Sequence, residues 1–308
     1  MSELTIETNG LTKRYGELTA VDSVTMSARR GQVYGFLGPN GAGKTTTLRM
    51  ILGLIRPTAG SASVLGGPAG HPQTSRRVGA LIEGPGFYPY LSGRENLRVL
   101  ARYRNLPTAT VEAALDEVGL GTRGRNRYRT YSLGMKQRLG VAAALLGDPD
   151  VIVLDEPTNG LDPAGMADMR ELIVDLARDG RTVLLSSHLL GEVQEICDRV
   201  GVIHGGRLLR ESTVTQLRGG SSLRVRATPA DRAREVAIRL AGPGQVHPDG
   251  DRLQVDLPAG SAPRLARELV GAGLDVHEIR PVERSLESVF LELTGADAES
   301  AADEKETV

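Results

Sequence analysis

The stretch QVYGFLGPNGAGKTTTLRM, residues 32–50, decides the fold, because an apolar strand runs into a glycine-rich loop and the loop opens a helix. Its centre, GPNGAGKTT at 38–46, fits the phosphate-binding pattern G-x-x-x-x-G-K-[ST] in the strand–loop–helix context that the pattern requires. Backbone N–H groups of such a loop converge on phosphate oxygens, and the helix N-terminus adds a partial positive charge. Lys44 would neutralise the β- and γ-phosphates, and Thr45 would offer its hydroxyl to Mg²⁺. The candidate nucleotide-binding residues of the loop are Gly38, Pro39, Asn40, Gly41, Ala42, Gly43, Lys44, Thr45 and Thr46.

A second motif, VIVLDEP at residues 151–157, ends a buried apolar strand in two carboxylates. Asp155 suits the coordination shell of Mg²⁺, and Glu156, one residue farther out, suits activation of an attacking water. Alone, such a strand end is as often a cap of the following turn. Because a phosphate-binding loop precedes it in the same chain, we interpret Asp155 as a metal ligand and Glu156 as the general base.

The pattern along the chain predicts two folded units and a tail. Up to about residue 217, apolar runs such as VGALIE and TVLLSS alternate with helical segments, which is typical of an α/β domain with buried parallel strands. A helical pattern over about 84–147 indicates an insertion into this core. After the Gly-Gly-Ser-Ser break at 219–222, residues 222–295 suggest a small α+β domain in the order βαββαβ. The acidic segment 296–308 is expected to be disordered.

Composition argues against several classes of protein. A formal net charge of -1 and a pI near 6.6 disfavour electrostatic capture of nucleic acid. The longest apolar runs, such as LGVAAALLG at 139–147, are far shorter than the roughly 20 residues that span a bilayer. The lone Cys197 cannot form an internal disulfide, and the N-terminus has no apolar signal region, so we expect a cytoplasmic protein.

The order of these motifs resembles that of the ATP-binding subunit of an ABC transporter. YSLGMKQR at 131–138 lies where that family has its Leu-Ser-Gly-Gly-Gln signature, shortly before the strand with the acids. Ser132 and Gly134 match the signature, whereas Leu133 and Met135 replace a glycine and the glutamine. Read alone, Ser132 is merely a helix N-cap. The resemblance implies that the signature contacts the γ-phosphate of ATP bound to a second subunit, in a head-to-tail dimer with two shared sites.

Three further residues match positions of the same family. Asp162 in NGLDP resembles the loop that runs between the two sites, and His188 in LLSSH resembles the switch histidine that reaches the γ-phosphate. Tyr15 in KRYG resembles the aromatic residue that stacks on adenine. The alternatives are a structural histidine at a strand end and a surface tyrosine. The resemblance covers about residues 1–217 and implies a P-loop NTPase fold, in which the α/β core carries an antiparallel β subdomain and a helical subdomain.

The stretch ALIEGPGFYPYLSGRENL, residues 80–97, departs from the family at Glu83, where the family normally has a glutamine that touches the Mg²⁺ site and the membrane-spanning partner. We therefore count Glu83 among the candidate metal ligands and catalytic residues, with pairing to an arginine of its own chain as the alternative. The aromatic residues within 87–90 indicate either a partner-binding patch or part of the core. Glu83, the signature and SLESVFLELTG at 285–295 resemble the bacitracin, daunorubicin-type and lantibiotic exporters of this family.

The resemblance implies an ATPase subunit, bound peripherally at the cytoplasmic face of the membrane, that powers export through a separate transmembrane permease. Its cofactors would be ATP and Mg²⁺, its second ATP-binding subunit an identical copy, and its cargo an antibiotic-like or amphipathic compound. Two alternatives from other classes are a soluble ABC-type ATPase acting on ribosomes or DNA, and a P-loop kinase or metabolic ATPase. The sequence has neither the fused ATP modules nor the long coiled coil typical of the former, and the signature and His188 argue against the latter.

Overall fold

The computed structural model describes residues 3–84, 86–218, 222–282, 286–287, 289–291 and 293–295. Contacts within the chain separate two units, which comprise residues 1–213 and 214–308. The segment predicted to be disordered, 296–308, lies outside the described residues, as do residues 219–221 of the predicted break.

The first unit contains two sheets and seven helices among its described residues. Its strands are β1 Leu4–Tyr15, β2 Leu18–Arg29, β3 Val33–Leu37, β4 Ala59–Val64, β5 Gly67–Pro68, β6 Val78–Leu81, β7 Val151–Asp155, β8 Thr182–Ser187, β9 Arg199–His204 and β10 Arg207–Thr213. Its helices are α1 Lys44–Ile51, α2 Pro72–Ser75, α3 Gly93–Tyr103, α4 Ala109–Glu117, α5 Leu133–Leu145, α6 Pro163–Arg178 and α7 Leu190–Ile196. The strands predicted from the apolar runs are confirmed as β3, β6, β7, β8 and β9.

The central sheet has the strand order β10-β9-β3-β8-β7-β6. Neighbouring strands from β9 to β6 pair in parallel, and β10 pairs antiparallel to β9. Every residue of β3, β7 and β8 is buried, which explains why these strands appear in the sequence as continuous apolar runs. Because parallel strands end at the same edge, the segments that follow β3, β7 and β8 meet there, with β8 between the other two.

The second sheet of this unit is antiparallel, in the order β2-β1-β4-β5. Alternate residues of β1 and β2, such as Ile6, Val24 and Met26, are buried in one apolar core together with Leu48 and Met50 of α1. This core therefore holds the phosphate-loop helix between the antiparallel sheet and the central sheet. The antiparallel sheet was expected only from the family resemblance, and it is confirmed.

The inserted segment between β6 and β7 is helical, as its pattern predicts. Ser92 and Glu95 form a capping box at the start of α3: Ser92 N donates to Glu95 Oε2 over 2.7 Å, and Glu95 N donates to Ser92 Oγ over 3.2 Å. Ser132 caps α5, which ends at Leu145. These caps satisfy backbone donors that would otherwise have no partner within their helices.

The second unit is a small α+β domain. Its elements are α8 Val214–Arg218, β11 Ser222–Thr228, α9 Ala230–Ala241, β12 Val246–Asp249, β13 Arg252–Val255, α10 Ala262–Gly271 and β14 Asp275–Val282. The strand order is β12-β13-β11-β14 and every pair is antiparallel, so the predicted βαββαβ order is confirmed as a split βαβ sheet. Leu223, Val225, Val236, Leu265 and Leu269 share its apolar core. Of the predicted last helix at 285–294, residues 286–287, 289–291 and 293–294 are described and helical.

Among the described residues, no helix combines the length and the apolar character that crossing a bilayer requires.

Candidate active site

The loop between β3 and α1 adopts a backbone that only glycine fits at several positions. Gly41 and Gly43 have φ angles of 81° and 103°, in the left-handed region. A Cβ atom at Gly43 would lie 2.5 Å from the carbonyl oxygen of Ala20, and one at Gly38 would lie 2.3 Å from that of Ile203. No side chain caps the N-terminus of α1. The loop thus packs closely against its surroundings and leaves the N–H groups at the helix start for a ligand.

Lys44 begins α1 and extends its side chain back over the loop. The residue is only 6% exposed, and its Nζ donates to the carbonyl oxygens of Gly38 at 2.7 Å and Pro39 at 3.2 Å. The same Nζ lies 3.1 Å from Glu156 Oε1. Because Lys44 is buried, less water screens the attraction of its charge for nearby anions. Lys44 therefore presents its charge where phosphates would meet the loop.

Thr45 and Asp155 meet at the carboxyl edge of the central sheet. Thr45 Oγ1 donates to Asp155 Oδ2 over 2.8 Å, and Ser186 Oγ of β8 donates to Asp155 Oδ1 over 2.5 Å. A buried carboxylate with an adjacent hydroxyl fits Mg²⁺, which usually takes one or two carboxylates together with substrate phosphates. No group of three or more His, Cys, Asp and Glu that could hold a metal occurs in the part of the chain that the structure describes. The donor set thus suits a cation brought with a nucleotide.

Glu156 follows β7, and its carboxylate lies between Lys44 and His188. Its Oε2 lies 2.8 Å from His188 Nδ1, and since a carboxylate only accepts, the Nδ1–H form of the imidazole donates. Its backbone N–H donates to Ser186 Oγ over 3.0 Å. The φ angle of Glu156 is 50°, a strained value for a residue with a side chain. Strain of this kind is typical of functional positions, where neighbouring contacts hold it in place.

Two helix N-termini form a second, separate feature on the same unit. Ser132 Oγ accepts from Met135 N over 3.3 Å at the start of α5, and Asp162 Oδ1 accepts from Gly165 N over 2.9 Å at the start of α6. Ser132, Gly134 and Asp162 line one open groove with a volume of about 500 Å³. The predicted signature residues and the predicted loop aspartate are thus neighbours. Their role toward a nucleotide stays a prediction.

Glu83 and Tyr15 lie outside this set of contacts. The Glu83 side chain is 67% exposed and pairs with Arg49 of α1, the alternative that the sequence left open. Its φ angle of 64° lies in the left-handed region. Tyr15 ends β1 and is half exposed, and Lys13 Nζ lies 5.2 Å from its ring centroid. Since no described contact joins Glu83 to Asp155 or Thr45, its place at a metal stays a prediction, as does adenine stacking by Tyr15.

The aromatic residues after Glu83 were predicted to form either a partner-binding patch or part of the core, and they differ in exposure. Phe87 packs edge-on against Tyr128, with ring centroids 5.3 Å apart, and so contributes to the packing of the helical block. Tyr88 and Tyr90 are 51% and 65% exposed, and their centroids lie 5.7 Å apart. The two exposed rings form a surface pair, whereas Phe87 is half-buried against Tyr128.

Sequence reasoning missed three polar residues that organise the site. Ser186 bonds both Asp155 and the backbone of Glu156, and Thr158 bonds Glu192. The signal for Ser186 was available, because it is a hydroxyl residue in the apolar run TVLLSS, at the end of a fully buried strand. Glu192 gave no such signal, since its partner lies 34 residues away.

Comparison with known proteins agrees with this geometry. A family model described as "ABC transporter" matches residues 21–159. The chain is 40% identical over 298 residues to the bacitracin transport ATP-binding protein of Bacillus licheniformis, across 94% of this chain and 97% of the relative. It is 38% identical over 206 residues to a lantibiotic transport ATP-binding protein of Streptococcus pyogenes, across 67% of this chain and 90% of the relative. A solved ATP-binding subunit of an ABC transporter superposes with a TM-score of 0.62 at 30% identity, covering 70% of this chain and 92% of that one.

Proposed function

Since the chain belongs to the ABC transporter family, as an ATP-binding and ATP-hydrolysing subunit, we propose that it powers export of an antibiotic-like or amphipathic compound. Two relatives are named for transport of bacitracin and of lantibiotics, and both align over two thirds or more of this chain. These names favour transport over an action on ribosomes or DNA. The membrane path is a separate permease, and the subunit binds it at the cytoplasmic face.

The observation that carries the proposed mechanism is the convergence of Lys44, Glu156 and His188 at the carboxyl edge. The phosphates of ATP bind the N–H groups of the loop 38–46, and Lys44 turns from Glu156 to the β- and γ-phosphates. Thr45 and Asp155 would hold Mg²⁺, which when bound neutralises charge on the phosphate oxygens. Glu156 then accepts a proton from a water molecule. At the same time the water oxygen bonds to the γ-phosphorus, and the bond from the γ-phosphorus to the oxygen that leaves with ADP breaks.

His188 has a positioning part in this step. Its Nδ1–H bond holds the Glu156 carboxylate while the other carboxylate oxygen is released from Lys44. When both ring nitrogens carry a proton, Nε2 also donates to a γ-phosphate oxygen. The histidine thereby links the base to the γ-phosphate that the activated water attacks, and loss of either contact would misplace the water.

A second copy of the chain completes the site in this proposal. Ser132, Gly134 and Asp162 lie in one groove at two helix N-termini, and such termini favour an anion. In a head-to-tail dimer this groove faces the γ-phosphate bound by the partner copy, so two identical subunits share two sites. Tyr15 stacks on the adenine of its own copy.

Glu83 and the exposed pair Tyr88 and Tyr90 provide the contact with the permease. Exposed aromatic rings on a loop are suited to a protein interface. Glu83 lies between that loop and Arg49 of the phosphate-loop helix, so it is placed to pass a change at the nucleotide to the permease. We also propose that residues 1–217 act as the nucleotide-binding domain and 222–295 as an accessory domain, which a chain ending near Gly219 would test by retaining ATP binding.

The general base is tested by Glu156→Gln, which keeps the shape and removes the proton acceptor. ATP turnover should fall by about 10²- to 10⁴-fold while ATP binding is kept, so an ATP-bound dimer should accumulate in light scattering. Glu171→Gln is the matched control, because Glu171 is an exposed carboxylate on α6. Turnover by Glu156→Gln at the wild-type rate would show that another group is the base.

A further inference from the structure

Two segments leave the carboxyl edge of the central sheet side by side, one after β7 and one after β8. Near the sheet they are joined by Ser186, whose Oγ donates to Asp155 and accepts from the backbone N–H of Glu156. One step farther out they are joined by Glu156 and His188. These contacts account for the position of the metal ligand and of the base itself, but not for the chain beyond them.

A third bridge lies beyond these two. Thr158 Oγ1 donates to Glu192 Oε2 over 2.6 Å. Thr158 lies two residues after Glu156, and Glu192 lies four residues after His188 in the first turn of α7. The bridges at 156–188 and 158–192 therefore close a ring that includes both the base and the histidine that orients it.

The burial of this third bridge makes it costly. Thr158 is only 4% exposed, and Glu192 Oε1 is buried without a hydrogen-bond partner among the described residues. A buried oxygen without a partner loses its hydration and gains nothing in return, so it calls for a specific reason. The structure therefore keeps an acceptor for the Thr158 hydroxyl at a place where plain packing would disfavour it.

The backbone carries this bridge to Asp162. Asn159 N donates to the carbonyl oxygen of Glu156 over 3.1 Å, and Leu161 N donates to that of Thr158 over 3.1 Å. Thr158 thus lies inside the first of these two turns and begins the second. Fixing its side chain restrains both turns between the base and the cap of α6.

We propose that Glu192 is a positioning residue for ATP hydrolysis: through the Thr158 hydroxyl it holds the segment after Glu156 against the segment after His188. The inference rests on the proposed role of Glu156 as the base. Because Ser186 holds Asp155 independently, loss of the third bridge should leave nucleotide binding intact and slow only the chemical step. A positioning role thus predicts slower turnover with unchanged nucleotide binding, whereas a general loss of stability would lower both.

The test removes the bridge from each side in the full-length chain. Thr158→Val deletes the hydroxyl at nearly constant volume, and Glu192→Met deletes the acceptor at similar length. Each should lower kcat by about tenfold or more, since small misplacements of reacting groups have effects of that size. KM for ATP should stay within about twofold. The double variant should be no slower than either single variant, because both remove the same contact.

Conservative variants provide the rescue. Thr158→Ser keeps the donor and Glu192→Gln keeps an acceptor, so both should retain kcat within about threefold of wild type. Glu195→Met is the matched control: Glu195 lies three residues farther along α7 and pairs with Arg170 at the surface. It should leave kcat unchanged.

Three outcomes would overturn the inference. The first is wild-type kcat in Thr158→Val and Glu192→Met alongside a loss of turnover in Glu156→Gln, which would leave the proposed function standing. The second is a Glu192→Gln variant as slow as Glu192→Met, because charge and not hydrogen bonding would then matter. The third is an equal loss in the Glu195→Met control. Wild-type turnover in Glu156→Gln would instead show that the proposed function itself is wrong.

Discussion

The two edges of the central sheet bear charged residues on the same strands but arrange them differently. At the amino edge, Arg77 precedes β6 and Asp150 precedes β7, and Arg77 Nε donates to Asp150 Oδ2 over 2.7 Å. At the carboxyl edge, β7 ends in Asp155 and is followed by Glu156, which shares its carboxylate between Lys44 and His188. Arg77 and Asp150 thus bond to each other, whereas the residues at the carboxyl edge lie beside the phosphate-binding loop.

We infer from this difference that the amino edge contributes to stability and the carboxyl edge to activity. A carboxylate at the amino edge can be exchanged at the cost of its ion pairs, which are worth little at a protein surface. In the proposed mechanism, a carboxylate at the carboxyl edge exchanges its partners when the substrate binds. Its contribution is therefore to the rate of ATP turnover. Changes at the carboxyl edge should therefore alter catalysis, and changes at the amino edge should alter only the free energy of unfolding.

Lys44→Ala should have the largest effect at the carboxyl edge. It removes the buried cation that meets the β- and γ-phosphates, so turnover should fall by about 10²-fold or more, with weaker ATP binding. Phosphate release and titration with a fluorescent ATP analogue measure the two quantities. Arg178→Ala, at an exposed cation on α6, is the control. Unchanged turnover and affinity in Lys44→Ala would remove this edge as the catalytic site.

Mixing two inactive variants sharpens the comparison, because it tests whether the carboxyl edge of one copy is completed by another. Ser132→Asp keeps a good helix cap but sets a negative charge against the partner's γ-phosphate. Alone, it should be nearly inactive, as should Lys44→Ala. Mixed equally, about a quarter of wild-type turnover should return, since half of the dimers are mixed and each has one intact site of two. No recovery above the sum of the two variants would contradict a shared site.

Variants of Glu83 test whether this residue belongs to the metal site at the carboxyl edge. If its carboxylate organises the metal, Glu83→Ala should raise the Mg²⁺ concentration for half-maximal turnover severalfold, by roughly the effect of one lost ligand contact. Glu83→Gln should not, because its carbonyl oxygen still accepts from metal-bound water. Arg49→Met is the control, since it breaks the ion pair and keeps the carboxylate. Equal shifts in Arg49→Met and Glu83→Ala would show that Glu83 serves only the pair.

Asp150→Asn should have the smallest effect, and only on stability. The hydrogen bond from Arg77 lowers the pKa of Asp150 below its ordinary value, with the charge of Arg30 acting in the same direction. A lowered pKa in the folded state stabilises the protein above the unfolded pKa of about 4, and this contribution is lost as pH falls through the folded pKa. The variant should lose about 1 kcal/mol or less at pH 7, as expected of an exposed pair.

Urea unfolding at pH 7 and near pH 3 checks this prediction for Asp150. The difference between wild type and Asp150→Asn should shrink at the lower pH, because the wild-type carboxylate is then becoming protonated. ATP turnover at pH 7 should be the same for both proteins. A stability difference that does not change with pH would mean that the charge of Asp150 contributes nothing.

Local sequence pattern predicted the strands of the central sheet well, because each is buried on both faces and therefore continuously apolar. It also predicted Lys44, Thr45 and Asp155 as neighbours, since phosphate loops and strand-end acids meet in this type of sheet. The pattern did not predict that β8 separates β3 from β7, because strand order depends on contacts between distant segments. Glu192 was missed for the same reason, since its partner Thr158 lies 34 residues away.

Other features came only from the family resemblance. The place of His188 in the site is one of them. Its contact with Glu156 was not predicted at all, because it joins residues 32 positions apart and nothing in either local segment indicates it. The long strands β1 and β2 have an alternating pattern broken by several register shifts, so periodicity alone did not indicate a sheet there. In the second unit, by contrast, the order βαββαβ of short strands and helices followed directly from the pattern.

The most direct test compares Glu156→Gln and Asp150→Asn in one experiment that measures both ATP turnover and the unfolding midpoint. Each variant neutralises one carboxylate of β7 or its flanks, at opposite ends of the same strand. We expect Glu156→Gln to lose turnover by about 10²-fold or more with its unfolding midpoint kept, and Asp150→Asn to keep turnover with a slightly lower midpoint. The reverse pattern, or equal loss of turnover in both variants, would contradict the assignment of the carboxyl edge as the catalytic site.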